Sequence, residues 1–271
     1  MAGTKTLEAN GIVMDYVEAG PADGAPVLLV HGLGWDAARL WKGVAPALAG
    51  AGFRALAPNL RGVGVTEATN ARYTTDLYAT DLDAFLAALG ISRAAAVGFS
   101  MGASIAAALV ARSDRIASLC LACGGLHATA EGQAGVEDML ARAEALGPAA
   151  FAAEQAEAVF RPEWAAANPD AVADFRTWRA EMNQDALFRA FRSGYGTDYR
   201  DVVRTARLPT QVIAADEDAF CNLADMRALA ASIPAARLDV IEACGHMAPI
   251  ERLPEFNAAL LDFLHSVRAA A

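Results

Sequence analysis

The chain has 271 residues, 55% of them hydrophobic, and a formal net charge of -10. That apolar content can bury a sizeable core, which excludes a disordered chain, and the length suits one α/β domain carrying an insertion. No basic stripe reverses the negative field locally, which excludes a nucleic-acid partner.

Met1 to Thr6 has no apolar run behind its one Lys, so no export signal is expected. No apolar stretch approaches about 18 residues, so no membrane span is expected and the cytoplasm is the default location. Gly11 to Glu18 alternates like an early strand. Pro26 to Val30 is wholly apolar between Gly/Pro signals, as in a strand buried on both faces. Leu40 to Leu48 has helical spacing, and Phe53 to Ala57 reads as a strand ending before Pro58. Leu77 to Leu89 is an amphipathic helix: Leu82, Phe85, Leu86 and Leu89 repeat at three and four, and Gly90 stops it. Ala94 to Gly98 is a strand, Ser104 to Ala111 a small-residue helix suited to packing on a sheet, and Ile116 to Cys123 a strand. This alternation predicts a parallel sheet with helices on both faces.

The pattern breaks after Gly124-Gly125. From about Glu131 to Arg204 the chain is helical in tendency, punctuated by Pro148, Pro162 and Pro169. The alternation then returns: strand Thr210 to Ala215, helix Leu223 to Ala231, strand Arg237 to Glu242 and a closing helix Glu255 to Val267. A helical stretch inside an α/β pattern reads as an insertion over one edge of the sheet. Cys120, Cys123, Cys221 and Cys244 form no disulfide framework. Cys120 and Cys123 read C-x-x-C, but within an apolar strand they serve as small core residues, and no second Cys/His pair completes a zinc site. No metal is expected.

Gly98-Phe-Ser-Met-Gly102 follows a predicted strand and opens a predicted helix. In that context G-x-S-x-G is a nucleophile elbow: a sharp strand-to-helix turn exposes the Ser100 hydroxyl, and only small residues fit two positions to either side. The helix start adds free N–H groups and positive dipole. Val30-His-Gly-Leu-Gly34 follows an earlier strand, so Leu33 and Met101 are the expected N–H donors to a developing oxyanion. Losing one such donor raises a barrier by about 3 kcal/mol. His31 braces that loop. Of the other histidines, His265 reads as a surface residue and His127 begins the insertion, where it could line a pocket. His246 sits in a loop after the last predicted strand, where ligands bind in open parallel sheets, and it follows Ser100 in the chain as a base should. Asp216-Glu-Asp218 offers three candidates for the acid that orients the base, and chemistry alone does not choose among them.

These stretches resemble the α/β-hydrolase superfamily along essentially the whole chain, and in particular the 3-oxoadipate enol-lactonases and related small esterases. The resemblance rests on His31-Gly-Leu-Gly34 with Trp41 downstream, Arg61-Gly-Val-Gly-Val-Thr66, Asp81-Leu-Asp-Ala-Phe-Leu86, Gly98 to Gly102, and Gly245-His-Met-Ala-Pro-Ile-Glu-Arg252. It implies a mostly parallel eight-stranded sheet flanked by helices. It also implies a core of residues 1–125 and 206–271 and a helical cap over 126–205. In that family the strand before the acid usually ends Gly-x-x-Asp, which places the acid at Asp218, with Asp216 second. Asn59 stands where the family commonly has Asp.

The implied activity is cleavage of a small carboxylic ester or lactone through an acyl-enzyme, with no metal or organic cofactor. Related chemistries on the same fold are carbon–carbon bond hydrolysis, cofactor-free haloperoxidation and acyl transfer; the non-enzymatic alternative is a small-molecule receptor. Trp35 and Phe220 flank the oxyanion and acid loops and are expected to line the pocket, with His127, Trp164 and Met247 as further candidates. Five cap arginines, Arg176, Arg179, Arg189, Arg192 and Arg200, are candidates to meet a substrate carboxylate. The partner is a small-molecule substrate, and the Ala-rich chain suits a monomer or a homodimer.

Overall fold

The computed structural model describes residues 4–269. Met1 to Gly3, on which the reading of the amino terminus partly rests, lie outside the described residues, as do positions 270–271. The first half of the chain forms β1 (Lys5–Ala9), β2 (Ile12–Ala19), β3 (Ala25–Val30), α1 (Ala37–Leu40), α2 (Val44–Gly50), β4 (Phe53–Pro58), α3 (Thr75–Ala88), β5 (Ala94–Phe99), α4 (Met101–Arg112) and β6 (Ile116–Ala122). Helices follow without a strand: α5 (Ala130–Leu146), α6 (Pro148–Val159), α7 (Pro162–Ala167), α8 (Pro169–Glu181), α9 (Gln184–Phe191), a 3₁₀ turn at Arg192–Gly194 and α10 (Arg200–Ala206). The remainder is β7 (Thr210–Ala215), α11 (Leu223–Ser232), β8 (Arg237–Ile241), α12 (Ala248–Glu251) and α13 (Leu253–Ala269).

The strands form one eight-stranded sheet in the order β1-β2-β4-β3-β5-β6-β7-β8. β1 and β2 pair antiparallel, as do β2 and β4, and every later pairing is parallel. In β3 the side chains alternate between two cores: Leu28 and Val30 join α3 and α4 on one face, while Val27 and Leu29 join α2 and α13 on the other. Burial on both faces is why the strand is apolar throughout instead of alternating. Parallel pairing sends every β3 to β8 carboxyl end to the same edge of the sheet, and the loops that leave this edge carry Ser100, Asp218 and His246.

Three local features depart from the sequence reading. The helix expected over Leu40 to Leu48 is two short helices, α1 and α2, with a turn at Trp41 to Gly43 where Gly43 packs against the Leu253 side chain. β1 was not anticipated: it is an edge strand, mostly exposed, so it carries little apolar pattern. α12 is a single turn, too short to show a period.

The inserted helices are continuous with the body of the protein. Ala186, Ala190, Tyr199 and Val203 join one core, and Ala156, Phe160, Val172 and Phe175 join the other. Polar links repeat the attachment: Thr75 Oγ1 donates to the Ser193 carbonyl at 3.1 Å, and Arg189 donates to the Asn70 carbonyl at 2.9 Å. Among the described residues no helix is long and apolar enough to cross a membrane.

Candidate active site

Ser100 is the single residue between β5 and α4. It sits at φ 54° and ψ −121°, a conformation that costs a non-glycine residue on the order of 1–3 kcal/mol. The surroundings hold it there. Its N–H donates to the Ala122 carbonyl at 2.9 Å, and its own carbonyl accepts from Ala103 N–H at 2.9 Å. A methyl group at Gly98 would overlap the Gly102 carbonyl, and one at Gly102 would overlap the Val30 carbonyl. The two glycines of the motif are therefore required by the close approach of β3, β5 and α4.

The hydroxyl faces His246. The Nε2 of His246 lies 3.0 Å from Ser100 Oγ, and its Nδ1 lies 2.9 Å from Asp218 Oδ2 and 3.0 Å from Oδ1. A carboxylate only accepts, so Nδ1 carries the proton and Nε2 is left to accept from the serine. Asp218 is fixed in turn: its Oδ1 accepts from the N–H groups of Phe220 and Cys221 at 2.8 and 2.9 Å. The other two acids of the run point elsewhere. Asp216 accepts from Cys244 N–H at 3.1 Å, and Glu217 pairs with Arg161 at 2.9 Å. Of the three acids, Asp218 alone reaches the imidazole.

Glu251 has a positional task that the sequence reading missed, although it lies within the quoted Gly245 to Arg252 stretch. Its carboxyl accepts from Gly245 N–H at 3.2 Å and Met247 N–H at 3.4 Å, holding the backbone on both sides of His246. Burial pushes the Glu251 carboxyl above its ordinary range.

The loop after β3 is braced from beneath. His31 Nδ1 donates to the Gly32 carbonyl at 2.8 Å, and Nε2 accepts from Leu60 N–H at 3.0 Å. Burial lowers the His31 pKa, and the hydrogen bonds suit the neutral ring. Asn59 anchors the next layer: it accepts from Ala37 N–H at 2.7 Å and donates to Asp15 Oδ2 at 2.7 Å. Thr66 Oγ1 donates to the other Asp15 oxygen at 2.7 Å. An Asp at position 59 would face Asp15 carboxylate to carboxylate, so the amide here fits this partner. A methyl group placed on Gly32 would lie 3.0 Å from Ser100 Cβ, which brings the loop against the serine. Among the described residues, neither Leu33 N–H nor Met101 N–H donates to a protein acceptor.

The expected pocket residues divide. Phe220 is 55% exposed and its ring centroid lies 5.0 Å from that of His246. Trp35 is buried, with its ring 4.9 Å from Phe175 and edge-on to Phe160 at 6.2 Å, and Trp164 stacks on Phe160 at 5.0 Å. Trp35, in the loop after β3, thus packs against the inserted helices, and Trp164 stacks within them. Met247 is wholly buried among the core residues of α13. His127 is exposed and forms an antiparallel bridge with Asp198. His265 is exposed on α13 beside Phe53. All four cysteines are free; burial raises each thiol, and Cys120 and Cys123 lie in the core.

Asp218, Cys221 and His246 bring their ligand atoms within 4.8 Å of one another. The set is a poor cation cradle. Both imidazole nitrogens already have hydrogen-bond partners, and burial raises the Cys221 thiol to about 12, so the thiolate a metal needs is disfavoured.

The family model described as the alpha/beta hydrolase fold matches residues 25–253. A putative carbamate hydrolase, RutD, from Variovorax paradoxus is 32% identical over 263 residues, covering 94% of this chain and 97% of that protein. Among solved structures, a thermophilic esterase from Thermogutta terrifontis with malate bound superposes with a TM-score of 0.89 at 25% identity, covering 98% and 99% of the two chains. An enol-lactonase from Burkholderia xenovorans superposes with a TM-score of 0.89 at 26% identity, covering 96% and 100%. Sequence, sheet order and relatives agree: the chain belongs to the α/β-hydrolase fold family and is a hydrolase.

Proposed function

We propose that this protein is a serine hydrolase that cleaves a small carboxylic ester or lactone through an acyl-enzyme. The observation that carries the reading is the continuous chain from Ser100 Oγ through His246 to Asp218, with both links at 3.0 Å or less. His246 takes the Ser100 proton as Oγ attacks the carbonyl, and Asp218 holds the imidazolium that forms. The free N–H groups of Leu33 and Met101 receive the oxyanion. The alkoxide or enolate leaves with the proton from His246. A water deprotonated by His246 then attacks the acyl carbonyl and releases Ser100. Residues 126–205 act as a cap over a core formed by 1–125 and 206–271. The test is pre-steady-state hydrolysis of 4-nitrophenyl acetate: a burst of about one nitrophenolate per active site, absent in Ser100→Ala, is expected for an acyl-enzyme. Linear release with equal rates in both proteins would overturn the scheme.

A second reading has one specific support, the full-length match to a protein named as a putative carbamate hydrolase. A carbamate carbonyl suits the same attack. Comparing phenyl carbamate with phenyl acetate ranks the two substrates directly, and slower turnover of the carbamate by more than about a hundredfold would remove this reading.

A further inference from the structure

Four residues, 242–245, carry the chain from the end of β8 to His246. The acid loop holds Cys244 on both sides: its N–H donates to Asp216 at 3.1 Å, and its carbonyl accepts from Glu217 N–H at 3.0 Å. Gly245 N–H donates to Glu251 at 3.2 Å. Ala243 is the exception. It has φ 51°, in the left-handed region that favours glycine, and its carbonyl accepts from the inserted helices, from Arg161 Nη1 at 2.7 Å.

Phe160 and Arg161 join α6 to α7. Phe160 is buried among Trp35, Trp164 and Phe175, so the main chain beside Arg161 is fixed. The Arg161 side chain is 22% exposed and reaches both loops of the proposed base and acid. Its Nε lies 2.9 Å from Glu217 Oε2, next to Asp218, and its Nη2 lies 3.3 Å from Glu163 on its own side. A methyl group on Gly245 would lie 3.1 Å from Arg161 Cγ and 2.9 Å from Glu251 Oε1, so glycine admits the arginine stem beside His246. Burial raises the Glu251 carboxyl, and the Arg161 N–H and guanidinium oppose that rise. Among the described residues, no other side chain of 126–205 makes a hydrogen bond or ion pair to the loops that carry Asp218 and His246.

We propose that Arg161 is a positioning residue for His246, a staple through which the inserted helices hold the loops of the base and its acid in register. This rests on the serine-hydrolase reading above and deepens it. Ala243 sits in a conformation that a non-glycine residue keeps only when its surroundings fix it, and the charged fork of Arg161 supplies that fixing bond. The base therefore depends on the inserted helices even for an acyl group too small to need them. A displacement of about 1 Å in a reacting group can cost on the order of 100-fold in rate, so a staple remote from the substrate can govern turnover.

The test uses 4-nitrophenyl acetate, well below the melting temperature of every variant. Arg161→Met should lower kcat by about 10- to 100-fold and change KM by less than about threefold. Fluorophosphonate labelling of Ser100, which needs the same base, should slow by a similar factor. Arg161→Lys keeps a cation that can donate to Ala243 and should stay within about fivefold of the wild type. Arg189→Met removes a different link between the inserted helices and the core, to the Asn70 and Ala71 carbonyls, and should leave kcat within about threefold. Should Arg161→Met fail to fold, Arg161→Gln, shorter and uncharged, is read against the same limits. A folded variant with unchanged kcat and labelling, or an equal loss in Arg189→Met, overturns the positioning role while Ser100-dependent turnover leaves the hydrolase reading standing. If the wild type cleaves no ester and Ser100 takes no label, the hydrolase reading falls and this one with it.

Discussion

The carboxyl edge of the sheet and the helices inserted above it are built on different principles. At the edge, Ser100 is held by main-chain bonds and by contacts too close for any side chain at Gly98 or Gly102. In the inserted helices the attachment is made by rings and long side chains, with Trp35, Phe160, Trp164 and Phe175 interlocked and Arg39 over the Trp178 ring at 4.4 Å. Backbone packing has one solution, whereas large side chains can be repacked with conserved volume. The proposed reacting groups therefore sit where backbone packing fixes them, and the inserted helices where side-chain packing tolerates exchange.

Substitutions in the two regions should therefore separate cleanly, and the effects can be ranked. Ser100→Ala removes the nucleophile and should lower ester hydrolysis at least about 1,000-fold. A residue above a hundredth of the wild-type rate would break the assignment. Asp218→Asn should lower kcat by roughly 1,000- to 10,000-fold through loss of the correct tautomer of His246, while Asp216→Asn should cost less than about tenfold. Equal losses would mean that the acid run is not resolved as the hydrogen bonds indicate. Gly102→Ala forces a methyl group into the Val30 carbonyl and should destabilise the fold by about 3 kcal/mol, read as a lower denaturation midpoint.

The brace beneath the loop makes a smaller and pH-dependent difference. His31→Ala leaves the Leu60 N–H without its acceptor and should cost about 2 kcal/mol. The ring is buried neutral, with its pKa lowered from 6.5. The unfolded chain therefore takes up this proton first as the pH falls. His31 contributes its full stability above about pH 6.5, and the contribution shrinks as the pH drops toward the lower folded value. Chemical denaturation between pH 5 and pH 8 should show a steeper loss toward acid in the wild type than in His31→Ala. The mildest expectation concerns the cap: Phe160→Leu should cost about 1 kcal/mol and change KM more than kcat. A kcat loss as large as that of Asp218→Asn would erase the distinction between the two regions.

Much of the candidate site was legible in the sequence because its constraints are local. The glycines of the elbow report a steric requirement within five residues, and His246 stands out because only four histidines exist. The acid was not legible from local chemistry, because Asp216, Glu217 and Asp218 differ only in where the loop turns; the Phe220 and Cys221 N–H groups that fix Asp218 are contributed by that turn. Trp35 looked like a pocket residue because of its neighbours in the chain, yet it is enclosed by Phe160 and Phe175 from more than a hundred residues away. Arg179 likewise reads as one of five similar arginines until the fold buries it and leaves the others paired or wet. Long-range burial, which no short window contains, is what separates those cases.

The most direct test of the central claim is labelling with a fluorophosphonate and mapping the adduct by mass spectrometry. Stoichiometric modification at Ser100 is expected, strongly slowed in His246→Ala. A folded protein that takes no adduct at Ser100, or takes it equally well without His246, would contradict it.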